Sequence, residues 1–384
     1  MNLLNCIWPP TTHRKPRIQK KPLRISGTLA DGIVIPSSLN FKPANCLIVG
    51  GGVCGLWFAL HLKAICPHFA IEILETAPIV YPQTQILLLN ADAIDSYLDW
   101  KPAVSPTNTI RIDDLRAQLE HYLLGAFPDI RILRMSFDNR IADAPTPFQY
   151  VFGIDGVQSK FYNTFFNTKQ DAAPCYTYYV ELAYRTAKTP TTLAASQLSM
   201  VKSNIAAMRN LYEMVYDDVV ILRLELQSTT YFLAKNATAQ FATSAYWMTY
   251  LALPIEVRKM LNFWMRARQY FLKETIVNVK PSITFFDFPI YSRTPIAEKH
   301  DNYFLLGAAA FQLDLEHGLE QSLCFAAISA MLFTGMVINV REEFMRKYAA
   351  FVAKQREDDV VSQMVTVQVP VNEVEGWRED FIVD

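Results

Sequence analysis

The chain has 384 residues, with 36 basic and 37 acidic side chains and a net charge of −1 at pH 7. Proteins that bind nucleic acids need a basic surface to neutralise phosphates, so this charge balance argues against that class. Hydrophobic residues make up 51% of the chain and charged residues 19%, which excludes global disorder. A chain of this length can bury a large core, and its length favours two lobes over one.

The N-terminal 43 residues differ in composition from the rest of the chain. They contain a basic run from Arg14 to Arg24 that has no acidic neighbour. We expect residues 1–43 to form a basic arm, solvated or packed over the surface, and a targeting or partner-binding role stays open. The order of the segments is wrong for a secretory signal, and the scattered cysteines lack a C-x-x-C pair, so the predicted location is the cytoplasm.

Two further classes of site are not expected. The 6 histidines and 6 cysteines show no metal-ligand spacing, so no metal site is predicted. The stretch Leu323–Val340 is the one membrane-like run, but it is marginal in length for a bilayer and contains Asn339. It predicts a buried helix, and we expect no transmembrane segment.

A strand, a tight turn, a helix and a second strand succeed one another from residue 44. The apolar run Cys46–Val49 predicts a buried strand, and the glycine-rich segment Gly50–Gly55 comes directly after it. Leu56–Lys63 has the character of a helix, and Ala70–Glu75 that of a second strand. This arrangement within about 30 residues is the βαβ unit of a dinucleotide-binding fold.

The glycine spacing fits the G-x-G-x-x-G pattern of dinucleotide sites. Gly50 permits the tight turn, Gly52 lets the backbone approach a pyrophosphate, and Gly55 allows the helix to pack on the strand. The phosphates would lie at the helix N-terminus, where free N–H groups and the macrodipole favour anions. Glu75, at the end of the second strand, can accept hydrogen bonds from ribose hydroxyls. An acid there favours FAD or NAD and disfavours NADP.

The middle of the chain has a different pattern. Tyr176–Arg185 and Val219–Lys235 are predicted strands, and the second alternates as a sheet with one buried face does. Glu256–Lys273 is a predicted helix, and Tyr303–Leu306 a later strand that precedes a long helix after Asp314. The expected fold is therefore α/β: a Rossmann-type domain with an inserted mixed or antiparallel β-sheet.

The predicted domain organisation is based on these shifts in pattern. It consists of the arm at 1–43, the first part of the nucleotide-binding domain at 44–174, an inserted sheet domain at 175–290, the return of the first domain at 291–345, and a C-terminal helix and tail at 346–384.

Two more glycine clusters decide between FAD and NAD. A strand pattern at Val151 leads to Gly153, Asp155 and Gly156, and a later strand leads to Gly307. A simple NAD dehydrogenase has no use for either cluster. In their order and separation, the three clusters resemble those of the class A flavoprotein monooxygenases of the aromatic-hydroxylase fold. Arg111 matches the family arginine near the flavin pyrophosphate, and the Asn108–Leu115 stretch looks closest to the MICAL-type subgroup.

The resemblance implies an FAD site and an activity. The expected cofactor-binding positions are Gly50, Gly51, Gly52, Val53, Cys54, Gly55, Glu75, Arg111, Asp155, Gly156, Gly307 and Ala308. In the family, NAD(P)H transiently reduces FAD, which then uses oxygen to oxidise a substrate. The resemblance therefore implies an FAD-dependent monooxygenase or oxidoreductase of unknown substrate.

This chain departs from the family at its flavin end. Ala308 stands where the family has an acid that holds the ribityl chain, and Leu315 and Glu320 replace a proline and a glycine. Gln83 and Gln85 stand where an arginine is frequent. The alternative is therefore a catalytically altered flavoprotein fold that works as a binding or interaction module. A neighbouring acid such as Asp314 is a candidate replacement.

Overall fold

A computed structural model gives the structure of the protein. It describes residues 45–75, 86–90, 98, 100–105, 108–135, 137, 148–166, 171–186, 190–194, 198, 208–239, 250–251, 253–274, 282–298, 300–313, 315, 318–333, 342 and 344–354. The basic arm at 1–43, Gln83, Gln85, Asp314, His317 and the tail after residue 354 lie outside these ranges.

The elements alternate between strands and helices in the first part of the chain and become mainly antiparallel strands in the middle. In chain order they are β1 (Asn45–Val49), α1 (Val53–Ile65), β2 (Ala70–Leu74), β3 (Ile86–Leu88), β4 (Thr109–Arg111), α2 (Ile112–Ala126), β5 (Arg131–Leu133), β6 (Tyr150–Gly153), α3 (Lys160–Phe165), β7 (Cys175–Arg185), β8 (Met208–Tyr216), β9 (Val219–Leu226), α4 (Ser228–Ala239), α5 (Ile255–Leu272), β10 (Ser282–Ser292), β11 (Tyr303–Leu305), β12 (Phe311–Gln312) and α6 (Gly318–Met331). A further helical segment spans residues 344–354.

The first sheet is parallel, with the strand order β11–β6–β1–β2–β5. Its central strand β1 is a continuous apolar run because both faces of a parallel sheet are covered. α1 is buried along almost its whole length, and the indole N–H of Trp57 donates to the carbonyl of Leu323 on α6 over 3.0 Å. This confirms the predicted βαβ unit and the predicted buried helix within Leu323–Val340, as far as Phe333.

The second sheet has the order β12–β10–β7–β9–β8, with antiparallel pairing throughout. The expected α/β fold with a second, antiparallel sheet is therefore correct. A third, two-stranded sheet pairs β3 with β4 and lies against β8.

Two expectations for the second sheet were wrong. The predicted strand Val219–Lys235 ends at Leu226, and helix α4 comes after it. In addition, β9 is buried on both faces, since Arg223 is only 1% exposed. Helix-borne side chains cover one face, while β3 covers part of the other: the Arg223 guanidinium donates to the carbonyl of Ile86 and pairs with Glu181 at 3.0 Å.

Some kinds of site are absent from the described part of the chain. There, no helix is long and apolar enough to cross a membrane. The same ranges hold no group of three or more His, Cys, Asp or Glu side chains that could bind a metal ion. All five cysteines within them are free thiols.

Candidate functional site

The three glycine clusters meet at one edge of the parallel sheet. β11, β6 and β1 are neighbours and run in the same direction, so the segments after them emerge side by side. A Cβ atom at Gly50 would lie 2.4 Å from the carbonyl oxygen of Ile154. One at Gly307 would lie 3.0 Å from Cβ of Cys54. The carboxyl edge of an open parallel sheet is where such folds bind ligands.

Gly50 and Gly55 are required by the fold itself. Gly50 has a φ of 112°, which disfavours any other residue, and its N–H donates to the carbonyl of Leu74 over 2.8 Å. A Cβ atom at Gly55 would lie 2.0 Å from the Gly50 carbonyl oxygen. These two glycines let β1 turn sharply into α1 and let the helix start directly above the turn.

Gly52 has a different environment. Its φ is −71°, which any residue adopts, and among the described residues no neighbouring element has a heavy atom within 4 Å of a Cβ built there. It is the N-cap of α1, yet no side chain caps the helix and no acidic residue lies in the first turn. The fold does not require a glycine here, whereas a bound anionic group that approaches the backbone does. The arrangement fits a nucleotide pyrophosphate.

Val53 and Cys54 contribute backbone rather than side chains to this edge. The Val53 side chain is buried in the core. The Cys54 side chain lies under Gly307, and burial raises the pKa of its thiol to about 12, although a hydrogen bond with Ser322 acts in the opposite direction. The thiol is therefore protonated at neutral pH and is not a nucleophile.

Glu75 lies directly beside the glycine turn. Its carboxylate accepts a hydrogen bond from the N–H of Gly51, and Arg116 of α2 approaches the other carboxylate oxygen at 3.5 Å. Sequence reasoning placed Glu75 at the end of the second strand but missed Arg116. The only sequence signal for Arg116 was its position in α2 relative to the buried residues Leu115 and Leu119, which indicates the side of the helix on which Arg116 lies.

Arg111 lies at the junction of β4 and α2, where it is the N-cap of the helix. Its guanidinium forms an ion pair with Asp114 at 3.8 Å, and the hydroxyl of Tyr216 donates to the same carboxylate. Burial and the carboxylates of Asp114 and Asp218 raise the pKa of nearby Asp217, and the positive charge of Arg111 acts in the opposite direction. These contacts direct Arg111 toward the β8–β9 turn, and contact with a pyrophosphate stays a prediction.

The middle cluster presents a buried carboxylate. Oδ2 of Asp155 accepts from the N–H of Phe161 over 3.1 Å at the start of α3, whose N-cap is Ser159. Oδ1 is buried and has no hydrogen-bond partner within the described ranges. Burial raises the pKa of this carboxyl, while hydrogen bonds from Ser159 and Phe161 lower it. Gly156 comes next with a φ of 84° and open space around its Cβ position.

The late cluster forms a short turn at Gly307–Ala309. The Ala308 side chain is half-buried, and its carbonyl accepts a hydrogen bond from the Tyr291 hydroxyl. Leu315 is buried in an apolar cluster with Leu87, Tyr179 and Phe288. The Glu320 carboxylate accepts from the N–H of Asn90. Asp314, the candidate replacement for the missing acid at Ala308, lies outside the described residues.

Arg293, which sequence reasoning missed, joins the middle and late clusters. Its guanidinium donates to the carbonyl of Val157 over 3.1 Å and to that of Ala309 over 2.9 Å. The same group lies 4.3 Å from the ring centres of both Tyr162 and Tyr291. The only sequence signal was an arginine directly after an aromatic-rich strand.

The comparisons with known proteins are distant. The sequence matches no family model, and no curated protein is similar to it in sequence. Among solved structures, a tetrameric 2-methyl-3-hydroxypyridine-5-carboxylic acid oxygenase aligns at 12% identity and a TM-score of 0.47, covering 79% of this chain and 86% of its own. CtdE in complex with FAD aligns at 15% identity and a TM-score of 0.48, covering 81% and 91%.

A third structure, PqsL of P. aeruginosa with 2-aminobenzoylacetate, aligns at 15% identity and a TM-score of 0.46, covering 82% and 94%. None of the three reaches a TM-score of 0.5, so a function for this chain has to come from its own residues. The MICAL-type assignment finds no support among them.

Proposed function

We propose that the chain binds FAD at the carboxyl edge of its parallel sheet and is an FAD-dependent oxidoreductase of the monooxygenase type. The observation that carries this proposal is the meeting of three glycine clusters at Gly50 and Cys54, on either side of Gly52, a glycine that neither its backbone conformation nor packing among the described residues requires. When bound, FAD would supply the electron transfer and oxygen chemistry.

In the proposed site, different residues contact different parts of the cofactor. The N–H groups of the first turn of α1, from Val53 to Gly55, take the pyrophosphate, and Arg111 adds positive charge there. Glu75 accepts from the adenosine ribose and is held in place by Gly51 and Arg116. Asp155, Gly156, Gly307 and Ala308 take the flavin half, because their clusters come after β6, which pairs with β1, and after β11, which pairs with β6.

The size of the proposed binding surface favours FAD over NAD. The first cluster and Glu75 alone are sufficient for the adenosine half of either nucleotide. The Oδ1 atom of Asp155, buried without a partner in the described ranges, indicates that a hydrogen-bond donor is expected beyond that half. NAD(P)H is the proposed transient reductant, and the inserted domain at 175–290 the proposed source of substrate contacts.

The visible absorption spectrum of the purified protein tests the proposal. We expect the bands of oxidised flavin, release of FAD on denaturation, and bleaching by NADH or NADPH under nitrogen. A preparation that takes up no FAD even from excess contradicts the proposal. Bound FAD that neither reductant bleaches, in a protein that still unfolds cooperatively, instead supports the alternative of a binding module.

A further inference from the structure

The guanidinium of Arg293 is held on four sides. Two of its nitrogens donate to the carbonyls of Val157 and Ala309, and its Cζ lies 4.3 Å from the ring centres of both Tyr162 and Tyr291. A planar guanidinium with fixed donors suits such a position, since a lysine ammonium offers neither the fork nor the flat face. The geometry of the two carbonyls is therefore tied to the orientation of one side chain.

The two carbonyls belong to different clusters of the nucleotide site. Val157 comes directly after Gly156 in the segment that leaves β6, and Ala309 directly after Ala308 in the segment that leaves β11. No other described side chain donates to the backbone of both segments. Arg293 thus sets the separation of the two loops assigned to the flavin half of the cofactor.

The surroundings of Arg293 leave it little freedom to move. The backbone N–H of Arg293 donates to the carbonyl of Ala310 over 2.8 Å, and its backbone carbonyl accepts from the Tyr348 hydroxyl over 3.0 Å. Both rings are anchored as well: the Tyr291 hydroxyl donates to the Ala308 carbonyl and that of Tyr162 to Asp171. Such outer contacts are what hold a binding surface in its working geometry before the ligand arrives.

We infer that Arg293 is a positioning residue for the flavin half of the site, holding the Gly156 and Ala308 loops at the spacing that FAD requires. This inference rests on the proposed function. It also explains how the late cluster keeps a defined geometry although Ala308 lacks the carboxylate. The backbone of this cluster is held by contacts from strand β10 and from Arg293, the residue that follows this strand.

The test compares FAD with ADP-ribose, which has the adenosine half and the pyrophosphate but no flavin or ribityl chain. Arg293→Lys keeps the charge and loses the fork, so FAD affinity should fall about tenfold, the loss of one hydrogen bond to a charged group. The ADP-ribose affinity should change by less than about twofold, because in the proposed site ADP-ribose is bound by Glu75 and the α1 turn and not by the two loops that Arg293 holds.

Arg268→Lys is the matched control. Arg268 is another buried guanidinium, paired with Glu213 and Glu274 and placed over Trp264, but it lies in the core of the second sheet. This variant should lower the melting temperature and leave the ratio of the two dissociation constants unchanged.

The outcomes separate the inference from the function on which it rests. If the wild-type protein binds neither FAD nor ADP-ribose, both the proposed function and the inference are wrong. Wild-type binding of both ligands, with Arg293→Lys weakening them equally or not at all, overturns the inference alone. If Arg293→Lys does not fold, Tyr291→Phe takes its place: it keeps the ring under the guanidinium but removes the hydroxyl that donates to the Ala308 carbonyl. It should show the same selective loss for FAD, and equal affinities of wild type and Tyr291→Phe then reject the positioning role.

Discussion

Gly52 allows a test in which stability and cofactor affinity change in opposite directions. It is the N-cap of a helix without a capping side chain, at φ −71° with open space around its Cβ position. In Gly52→Asp the carboxylate can accept from the first-turn N–H groups. Relative to glycine, a cap contributes a few tenths of a kcal/mol, the helix dipole about 0.3–1 and the stiffer unfolded chain about 0.4–1. The unfolding free energy of the nucleotide-free protein should therefore rise by about 1 kcal/mol.

The same carboxylate should weaken FAD binding. It occupies the N–H groups that the pyrophosphate needs and places a negative charge beside the phosphates. Loss of a single hydrogen bond to a charged group costs about 1.5–3 kcal/mol, which corresponds to a factor of about 10 to 150 in the dissociation constant. Gly52→Ala, which adds bulk without charge, should weaken binding less than Gly52→Asp does.

Two measurements on each variant decide the matter: thermal unfolding without FAD, and titration with FAD followed by flavin fluorescence. Gly55→Ala is the contrasting variant, because its Cβ would lie 2.0 Å from the Gly50 carbonyl oxygen. It should lose stability whether or not FAD is present. A Gly52→Asp protein that binds FAD as tightly as wild type would refute the assignment of this turn to the pyrophosphate.

Three more predictions concern single residues. Arg111→Ala should weaken FAD binding by about 1.5–3 kcal/mol in a titration, whereas an unchanged dissociation constant leaves Arg111 only as the partner of Asp114. Ala308→Asp should tighten FAD binding by a similar factor, about 10 to 150, if the ribityl chain passes this residue, and binding no tighter than wild type rejects the idea that the site lacks a ribityl acceptor at Ala308. Burial lowers the pKa of His61 to about 3 in the folded protein, whereas in the unfolded chain this histidine has its ordinary pKa of about 6.5. Between these two pH values the unfolded chain therefore binds a proton that the folded chain does not bind. The unfolding free energy should then fall on acidification through this range by up to about 1.4 kcal/mol per pH unit from this group, and in urea unfolding His61→Phe should lack that component.

The first βαβ unit could be predicted because its determinants are local. The apolar run of β1, the glycine turn and α1 are contiguous, and the turn from strand to helix is completed within a few residues. The end of β9 could not be predicted in the same way. Residues 229–232 are two threonines, a tyrosine and a phenylalanine, all common in strands. They are helical because Tyr231 and Ala234, three residues apart, are both fully buried against the second sheet. Tertiary packing overrides the local preference.

The burial of Arg223 could not be predicted from the sequence, for a related reason. Alternation along β9 correctly separates its two faces, but it gives no information on which segment covers the polar one. That cover comes from β3, more than 130 residues earlier in the chain, whose Ile86 carbonyl accepts from the guanidinium. A polar residue on a strand indicates solvent only when no distant segment supplies both shielding and a hydrogen-bond partner.

The late glycine cluster shows how far such distant contacts affect the interpretation of a site. Judged by its side chains alone, Ala308 is a lost acid, and the loss favours an altered protein without a flavin. The backbone of the same segment is nevertheless held by Tyr291, near the end of β10, and by Arg293, the residue directly after β10. A cofactor site depends on the position of backbone groups as much as on side-chain acceptors, and those positions are fixed here by residues outside any recognised pattern. Because Arg293 also fixes the Val157 carbonyl, the loop next to Asp155 and the loop of Ala308 form one unit. The loss of a single carboxylate therefore removes one hydrogen bond from the proposed site and leaves its geometry in place.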